Sequence, residues 1–155
     1  MKKLFNLLNL GLMAFMMAFV NSACSSSDDD DGGGNSASIV GEWTLEFSGS
    51  KGKGIQVLTF NSNGTGSWRE LSNEGTGVYF WQYDDRFVYS YEDGILMITW
   101  GGHGDYDEDV EVEYLNVISL TSTQLTLQEW ADNKSVTCYR MTEDMRERIN
   151  SLLND

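Results

Sequence analysis

The chain has no proline, one histidine, two cysteines and 10 basic residues among its 155 residues. Without proline but with 16 glycines, its tight turns must use glycine and asparagine. Two cysteines exclude a framework of several disulfides. The formal net charge of −14 opposes contact with nucleic-acid phosphates and with anionic lipid head groups. We therefore expect no nucleic-acid partner.

Catalytic and cofactor motifs are also missing. His103 lies between two glycines in a predicted loop, and Cys138 lies in a predicted strand, where a lone cysteine is usually a small buried apolar residue. The sequence contains no zinc-ligand spacing and no glycine-rich loop that could hold a phosphate. We predict that the protein is not an enzyme, has no catalytic residues and needs no cofactor.

The first 23 residues have the three parts of a secretory signal peptide. Two lysines precede an apolar run at residues 10–20, which is too short for a comfortable membrane span, and residues 21–23 are small or polar. Cys24 follows directly, and Ser22-Ala23-Cys24 resembles the lipobox of bacterial lipoproteins. The resemblance implies that residues 1–23 are removed and that Cys24 is acylated, which would anchor the chain in a membrane. The alternative is an ordinary secreted protein.

A polar tether comes next, at residues 24–37. Between Ser25 and Ser36 it contains four successive aspartates and no apolar side chain, so this stretch should stay unfolded and extended. An acidic stretch after an acylated cysteine resembles the signal that sends some lipoproteins of Gram-negative bacteria to the outer leaflet. The resemblance implies an outer-membrane location, at the cell surface.

Period-two alternation dominates residues 38–141, with Asn-Gly and Asp-Gly turns between the apolar segments. The pattern predicts an all-β domain of nine antiparallel strands, or eight if the aromatic segments 76–83 and 86–91 merge. Hairpin-length links in sequence order favour an up-and-down barrel, and a β-sandwich is the alternative. A change of phase at residues 114–117 predicts a bulge or a sharp bend.

The last segment, residues 142–155, changes to helical periodicity. Thr142 is a plausible N-cap, and acidic residues follow it in the first turn, where the helix dipole favours them. Met145 and Ile149 recur at helical spacing. We predict a short amphipathic helix, from about Glu143 to Leu153, that packs against the barrel.

Three motifs in order resemble those of lipocalin-like lipoproteins of Gram-negative bacteria, within the calycin group. Gly41-Glu42-Trp43 fits the Gly-x-Trp at the start of the first strand, and residues 58–65 fit a Leu-Thr-Phe hairpin with an Asn-Gly-Thr turn. Arg140, at the end of the last strand, fits the basic residue that packs on that tryptophan. The resemblance covers residues 38–141 and implies a barrel closed by Gly41, Trp43 and Arg140, through a cation–π contact.

In a lipocalin-like barrel the ligand enters at the mouth. The resemblance therefore implies a monomeric surface lipoprotein that binds a small hydrophobic or aromatic molecule, through aromatic rings that offer apolar walls and hydroxyl groups. The alternative is a structural or interaction module of the outer membrane that contacts a protein or a glycan. The candidate ligand-binding residues are Tyr79, Trp81, Tyr83, Phe87, Tyr89, Tyr91 and Trp100.

One acidic loop gives a weak metal candidate. Asp105, Asp107 and Asp109 form an Asp-x-Asp-x-Asp pattern that could present oxygens to Ca²⁺. An EF-hand is excluded because Val110 and Asn116 stand where that loop needs glycine and glutamate. Most charge runs are solvated loops, so we predict no metal site here.

Overall fold

A computed structural model of the chain describes residues 37–49, 52–101, 110–130 and 133–154. These residues form eight antiparallel strands, which close into a barrel, and one short helix. Each strand pairs with its neighbours in sequence, and the last strand pairs back with the first, which rules out the β-sandwich. The elements are β1 (Gly41–Gly49), β2 (Gly52–Phe60), β3 (Thr65–Ser72), β4 (Phe80–Glu92), β5 (Ile95–Trp100), β6 (Glu111–Leu120), β7 (Gln124–Glu129), β8 (Ser135–Arg140) and α1 (Glu143–Asn154).

The count is eight because the two predicted aromatic strands merge into β4, which is 13 residues long. β4 contains a bulge. Glu70 of β3 pairs with Tyr83, but the next residue, Leu71, pairs with Trp81, so Gln82 is an extra residue. A bulge interrupts the alternation of side chains. As a result Trp81 and Tyr83 point to opposite faces of the barrel wall, although they are two residues apart.

A second bulge lies in β6. The pairing with β7 shifts between Val117 and Ser119, immediately after the predicted segment 114–117, and Ile118 is the extra residue. Ile118 is exposed as a result.

Large apolar side chains from all eight strands fill much of the interior. Gly66 contributes by having no side chain, because a Cβ there would collide with the Phe87 ring that crosses β3. The rings of Phe60, Phe87 and Trp100 then meet edge to face. The main core comprises Ile39, Trp43, Leu58, Phe60, Trp68, Phe87, Leu96, Ile98, Trp100, Leu115, Leu125, Leu127, Val136 and Cys138.

Helix α1 packs on the outside of the barrel. The Thr142 hydroxyl accepts a hydrogen bond from the Met145 N–H at 3.2 Å, which makes Thr142 the N-cap. Ile149 is buried against the outer faces of β2 and β3. Arg146 and Arg148 form ion pairs at 2.8 Å and 2.7 Å with Glu42 and Glu46 of β1. The helix therefore covers one side of the wall.

Within the described ranges, no helix has both the length and the apolar character needed to cross a membrane.

Candidate functional site

The strand ends define two ends of the barrel. β1 begins and β8 ends at one of them, which we call the base and which carries Gly41 and Arg140. β3 and β5 end at the opposite one, which we call the mouth and which carries Ser72 and Trp100. The chemistry of the inner face differs between these two ends.

At the base, the first and last strands are held together by one arginine. The guanidinium carbon of Arg140 lies 3.8 Å from the centroid of the Trp43 ring. The same guanidinium donates hydrogen bonds of 2.8 Å to the carbonyls of Val40 and Ser38. Burial lowers the pKa of Arg140 from its ordinary value. Gly41 has a φ of 129°, and a Cβ there would collide with the guanidinium, which explains why glycine stands at this position.

An aromatic floor separates the apolar base from the mouth. The rings of Trp68 and Trp100 meet edge to face, with centroids 6.5 Å apart. Phe87 lies against Trp100, with centroids 4.9 Å apart. On the mouth side, the Tyr83 ring stacks on Trp68 with centroids 5.4 Å apart, and Tyr83 is 43% exposed. Tyr83 thus forms the boundary between the floor and solvent.

Near these rings the inner face also carries polar side chains. Gln56, Glu70, Glu113 and Glu129 are each two residues from a core side chain on the same strand, so alternation places them on the inner face. All four are buried. The Gln56 side-chain amide donates to a Glu70 oxygen at 3.0 Å, and the Trp100 indole N–H donates to a Glu113 oxygen at 3.3 Å. We call these four residues the polar layer.

Besides one oxygen of Glu113, two buried polar atoms at this layer have no hydrogen-bond partner among the described residues. They are the indole Nε1 of Trp68, a donor, and the amide Oε1 of Gln56, an acceptor. A buried polar group without a partner costs roughly 1–3 kcal/mol, so native proteins rarely leave one unmatched. Each of the two atoms can therefore bind a polar group from outside the chain, of a ligand or of a water molecule.

Burial also shifts the pKa of Glu70, the acid of this layer that lies on β3. Desolvation raises the pKa of Glu70 above the ordinary value of 4.5, the hydrogen bond from Gln56 lowers it, and the negative charge of Glu74 raises it. Desolvation is the largest of the three effects. Ionisation of Glu70 therefore destabilises the folded barrel.

This cost gives a pH-dependent prediction. Because the folded state binds the Glu70 proton more tightly than the unfolded state does, the free energy of unfolding falls as the pH rises from about 4.5. Glu70→Gln should remove that fall and stabilise the protein by roughly 1 kcal/mol at neutral pH, with little difference near pH 4. Urea unfolding of both proteins across this range checks it. The prediction is contradicted if the gain in stability of the variant over the parent is smaller at neutral pH than at pH 4.

The seven aromatic candidates from the sequence occupy different places. Phe87, Tyr89 and Trp100 pack in the interior, Tyr83 stands at the mouth, and Tyr91 lies near the base, 38% exposed. Tyr79 and Trp81 are not on the inner face, because the bulge at Gln82 turns this end of β4 outward, where both pack with the cluster under α1. No sequence pattern singles out Gln56, Glu70, Glu113 or Glu129, since polar residues in alternating strands are normally solvated.

Two clefts lie on the outer wall beside α1. One, of about 390 Å³, includes Tyr79, and the other, of about 260 Å³, includes Trp81 and Arg69. The Arg69 guanidinium lies 4.7 Å from the centroid of the Trp81 ring. These clefts are gaps beside the packed helix and are separate from the polar layer.

Of the remaining candidate residues, one is buried and unreactive and the others lie outside the described part of the chain. Cys138 is 1% exposed, and desolvation raises the pKa of its thiol to about 12, so a reactive thiolate does not form at neutral pH. Cys24, His103 and the three loop aspartates lie outside the described residues. Among the residues that the structure describes, no cluster of three or more histidine, cysteine or acidic side chains could hold a metal ion.

These features define a class of protein. A closed eight-stranded up-and-down barrel, with Gly-x-Trp in its first strand and an arginine of its last strand on that tryptophan, has the lipocalin-like fold. The resemblance in sequence is therefore confirmed at the level of the fold.

Among solved structures, the chain is similar to a lipocalin-like protein from Bacteroides thetaiotaomicron. The two are 18% identical with a TM-score of 0.45, and the match covers 68% of this chain and 99% of the other. A likeness of this size carries no functional conclusion, and the fold assignment rests on the strand pairing above. No family model and no curated protein matches the sequence.

Proposed function

We propose that this is a non-enzymatic, lipocalin-like surface lipoprotein that binds a small molecule with an aromatic part in the mouth half of its barrel. The observation that carries the proposal is the buried, unpartnered Trp68 indole N–H, which belongs to the ring that Tyr83 stacks on at the mouth. An eight-stranded barrel can hold one small ligand or fill entirely with side chains. Here the base is filled with side chains, and the mouth half carries the unmatched polar atoms.

The two-part interior favours an amphipathic ligand over a purely hydrophobic one. A ring of the ligand could lie against Trp68, Trp100 and Tyr83, whose faces and edges are suited to stacking. Its polar groups would then reach the Trp68 N–H and the Gln56 carbonyl oxygen. A purely apolar ligand would leave both atoms unmatched, at a cost in affinity.

The membrane anchor is the part of the proposal that rests on the sequence. Cys24→Ala should release the protein from the membrane fraction, because acylation would supply the only strong lipid attachment that the sequence predicts. Fractionation of cells that express the parent or the variant checks it. The control is Cys138→Ala, which removes the buried thiol and should leave the fractionation unchanged. A Cys24→Ala protein that still sediments with the outer membrane contradicts the anchor.

The ligand site can be tested on the mature chain, residues 24–155, carrying Cys24→Ala, which has neither the signal peptide nor the acyl group. The neutral aromatic reporter N-phenyl-1-naphthylamine should bind with micromolar affinity, and Trp68→Leu should weaken that binding by about tenfold. Trp81→Leu is the matched control, since it removes a tryptophan of the outer wall and should change the affinity less than about twofold. Equal effects of the two substitutions would refute binding inside the barrel.

A second candidate function is favoured by one feature of the outer wall. Trp130 is 55% exposed and lies beside Tyr114 with ring centroids 5.8 Å apart, and its indole N–H donates to Asn116 at 2.7 Å. Exposed aromatic rings with a neighbouring amide suit contact with a protein or a glycan. Loss of partner binding in Trp130→Ala, with Trp68→Leu unaffected, would favour an interaction module instead.

A further inference from the structure

From the chemistry of the barrel wall opposite α1 we infer that this wall binds a neutral polysaccharide. The inference rests on the second candidate function, because it names the class of partner that the exposed ring of Trp130 would meet. It does not depend on a ligand inside the barrel. The ring pair of Tyr114 and Trp130 makes the contact with the sugar.

The wall in question lies across the barrel from the helix. Helix α1 packs on the outer faces of β2 and β3, and β6 is four strands from β2 in either direction around the closed barrel. The outward residues of β5 to β8, from Ile95 to Tyr139, therefore form a face that α1 does not cover. We call this face, together with Trp130 directly after β7, the uncharged wall.

No charged side chain points outward from β5, β6, β7 or β8. Glu111, Glu113 and Glu129 pair across the sheet with core residues, and Arg140 pairs with Trp43. Because directly paired residues share a face of the sheet, the three acids lie on the inner face and Arg140 lies at the base. Charged residues make up 22% of the chain, so an outer face of four strands without any is a distinct surface.

Two aromatic rings form an exposed platform on this wall. The β6–β7 register, continued past the pair of Leu115 and Glu129, sets Tyr114 opposite Trp130. The ring centroids are 5.8 Å apart with planes 33° from parallel, and the two residues are 46% and 55% exposed. The Trp130 indole N–H donates to the Asn116 side-chain oxygen at 2.7 Å, so the ring is held in place before a partner binds.

The polar groups beside the rings match the hydroxyls of a sugar. A pyranose ring has C–H groups on its faces, which pack on aromatic rings, and hydroxyls on its rim, which both donate and accept. Asn116 and Gln128 pair across the sheet next to the two rings. The Asn116 oxygen accepts from Trp130 and leaves the NH₂ group to donate, whereas the Gln128 NH₂ group donates to the Asn133 carbonyl and leaves the oxygen to accept.

Charge decides between the classes of partner. The chain has a net charge of −14, so a second copy of it and an acidic polymer are both repelled. A basic partner finds no carboxylate on the uncharged wall with which to pair. A neutral polysaccharide brings no charge and needs none, so its binding buries no unpaired charge.

Affinity electrophoresis tests the class of partner directly. The mature chain, residues 24–155, carrying Cys24→Ala is run in native gels that contain pullulan, barley β-glucan, galactomannan or arabinoxylan, which are neutral, or polygalacturonate, which is acidic. Mobility is measured against a reference protein that binds no glycan. We expect at least one neutral polymer to retard the protein and polygalacturonate not to.

Variants locate the contact. Trp130→Ala and Tyr114→Ala should each weaken the retardation at least about tenfold, because each removes one ring of the platform. Tyr139→Ala is the matched control: Tyr139 is 54% exposed on the same wall and has no ring contact among the described residues, so the change should stay within about twofold. Trp68→Leu should also leave the retardation unchanged. Circular dichroism of every variant establishes that the barrel is folded.

The outcomes separate this inference from the functions proposed above. It is overturned if none of the neutral polymers retards the protein, if polygalacturonate does so equally, or if Tyr139→Ala loses as much as Trp130→Ala. A parent that sediments as a dimer and a Trp130→Ala protein that sediments as a monomer also overturn it, since the wall would then join two copies. If Trp130→Ala loses a protein partner while no polysaccharide binds, the interaction module stands and the polysaccharide is wrong. Reporter binding that depends on Trp68 tests the barrel interior separately.

Discussion

Trp43→Ala should lower the free energy of unfolding by about 4 kcal/mol, the largest loss that we expect from any single substitution in the chain. Trp43 is fully buried in the main core, and its indole N–H donates a 2.8 Å hydrogen bond to the Ile39 carbonyl. Alanine would leave a cavity the size of an indole and remove that hydrogen bond. It would also remove the ring on which the Arg140 guanidinium packs. Urea-induced unfolding followed by circular dichroism gives the value.

Trp130→Ala is the matched control for this prediction. It also removes a tryptophan that donates one hydrogen bond, but Trp130 is 55% exposed, so the loss should stay below about 1 kcal/mol. Trp43→Phe should give an intermediate loss, because a smaller ring remains under the guanidinium. A Trp43→Ala protein that is no less stable than Trp130→Ala would show that the base of the barrel does not depend on this ring.

Arg140→Met should lower the free energy of unfolding by about 3 kcal/mol. Methionine keeps the apolar stem, so the loss reports the guanidinium itself. That group contacts the Trp43 ring and donates to the carbonyls of Ser38, Val40 and Ser122. Chemical denaturation of the parent and variant measures the loss.

The reason for so large an effect is the short seam between the end strands. In the described structure, β1 and β8 pair at only two positions, Trp43 with Arg140 and Thr44 with Tyr139. The Met141 N–H adds one backbone hydrogen bond, of 2.8 Å, to the Glu42 carbonyl. With so few ladder bonds, the arginine contributes much of what joins the two strands.

Arg146→Met serves as the control for Arg140→Met, because Arg146 forms an exposed ion pair with Glu42, which should contribute less than about 1 kcal/mol. A double-mutant cycle between Trp43→Phe and Arg140→Met should give a coupling of roughly 1 kcal/mol, as expected for a cation–π contact. Additive losses would mean that the two side chains stabilise the barrel independently.

Much of the fold could be predicted from local patterns. Period-two alternation and Asn-Gly or Asp-Gly turns indicate antiparallel strands, because side chains alternate between the faces of a strand and these turns need residues that tolerate positive φ. The change of phase before Ile118 predicted a bulge, and Thr142 predicted the start of the helix. These signals are local in sequence, so they can be interpreted without knowing which strands pair.

The candidate site could be predicted only in part. Aromatic residues of β4 and β5 indicated an aromatic interior, and Phe87 and Trp100 lie there. Tyr79 and Trp81 lie on the outer wall because one extra residue, Gln82, reverses the alternation of side chains. The sequence of β4 alone does not show that Gln82 has no pairing partner on β3.

By itself, the sequence determined the strands, the turns, the helix and the motif that closes the barrel, since each depends on residues close together in the chain or on one short recognisable pattern. Only the tertiary structure decided which residues face inward and which of them meet. Gln56, Glu70, Glu113 and Glu129 lie on four strands, and their burial in one layer follows from strand pairing and closure, which join residues far apart in sequence. For that reason the buried polar layer is a property of the folded barrel.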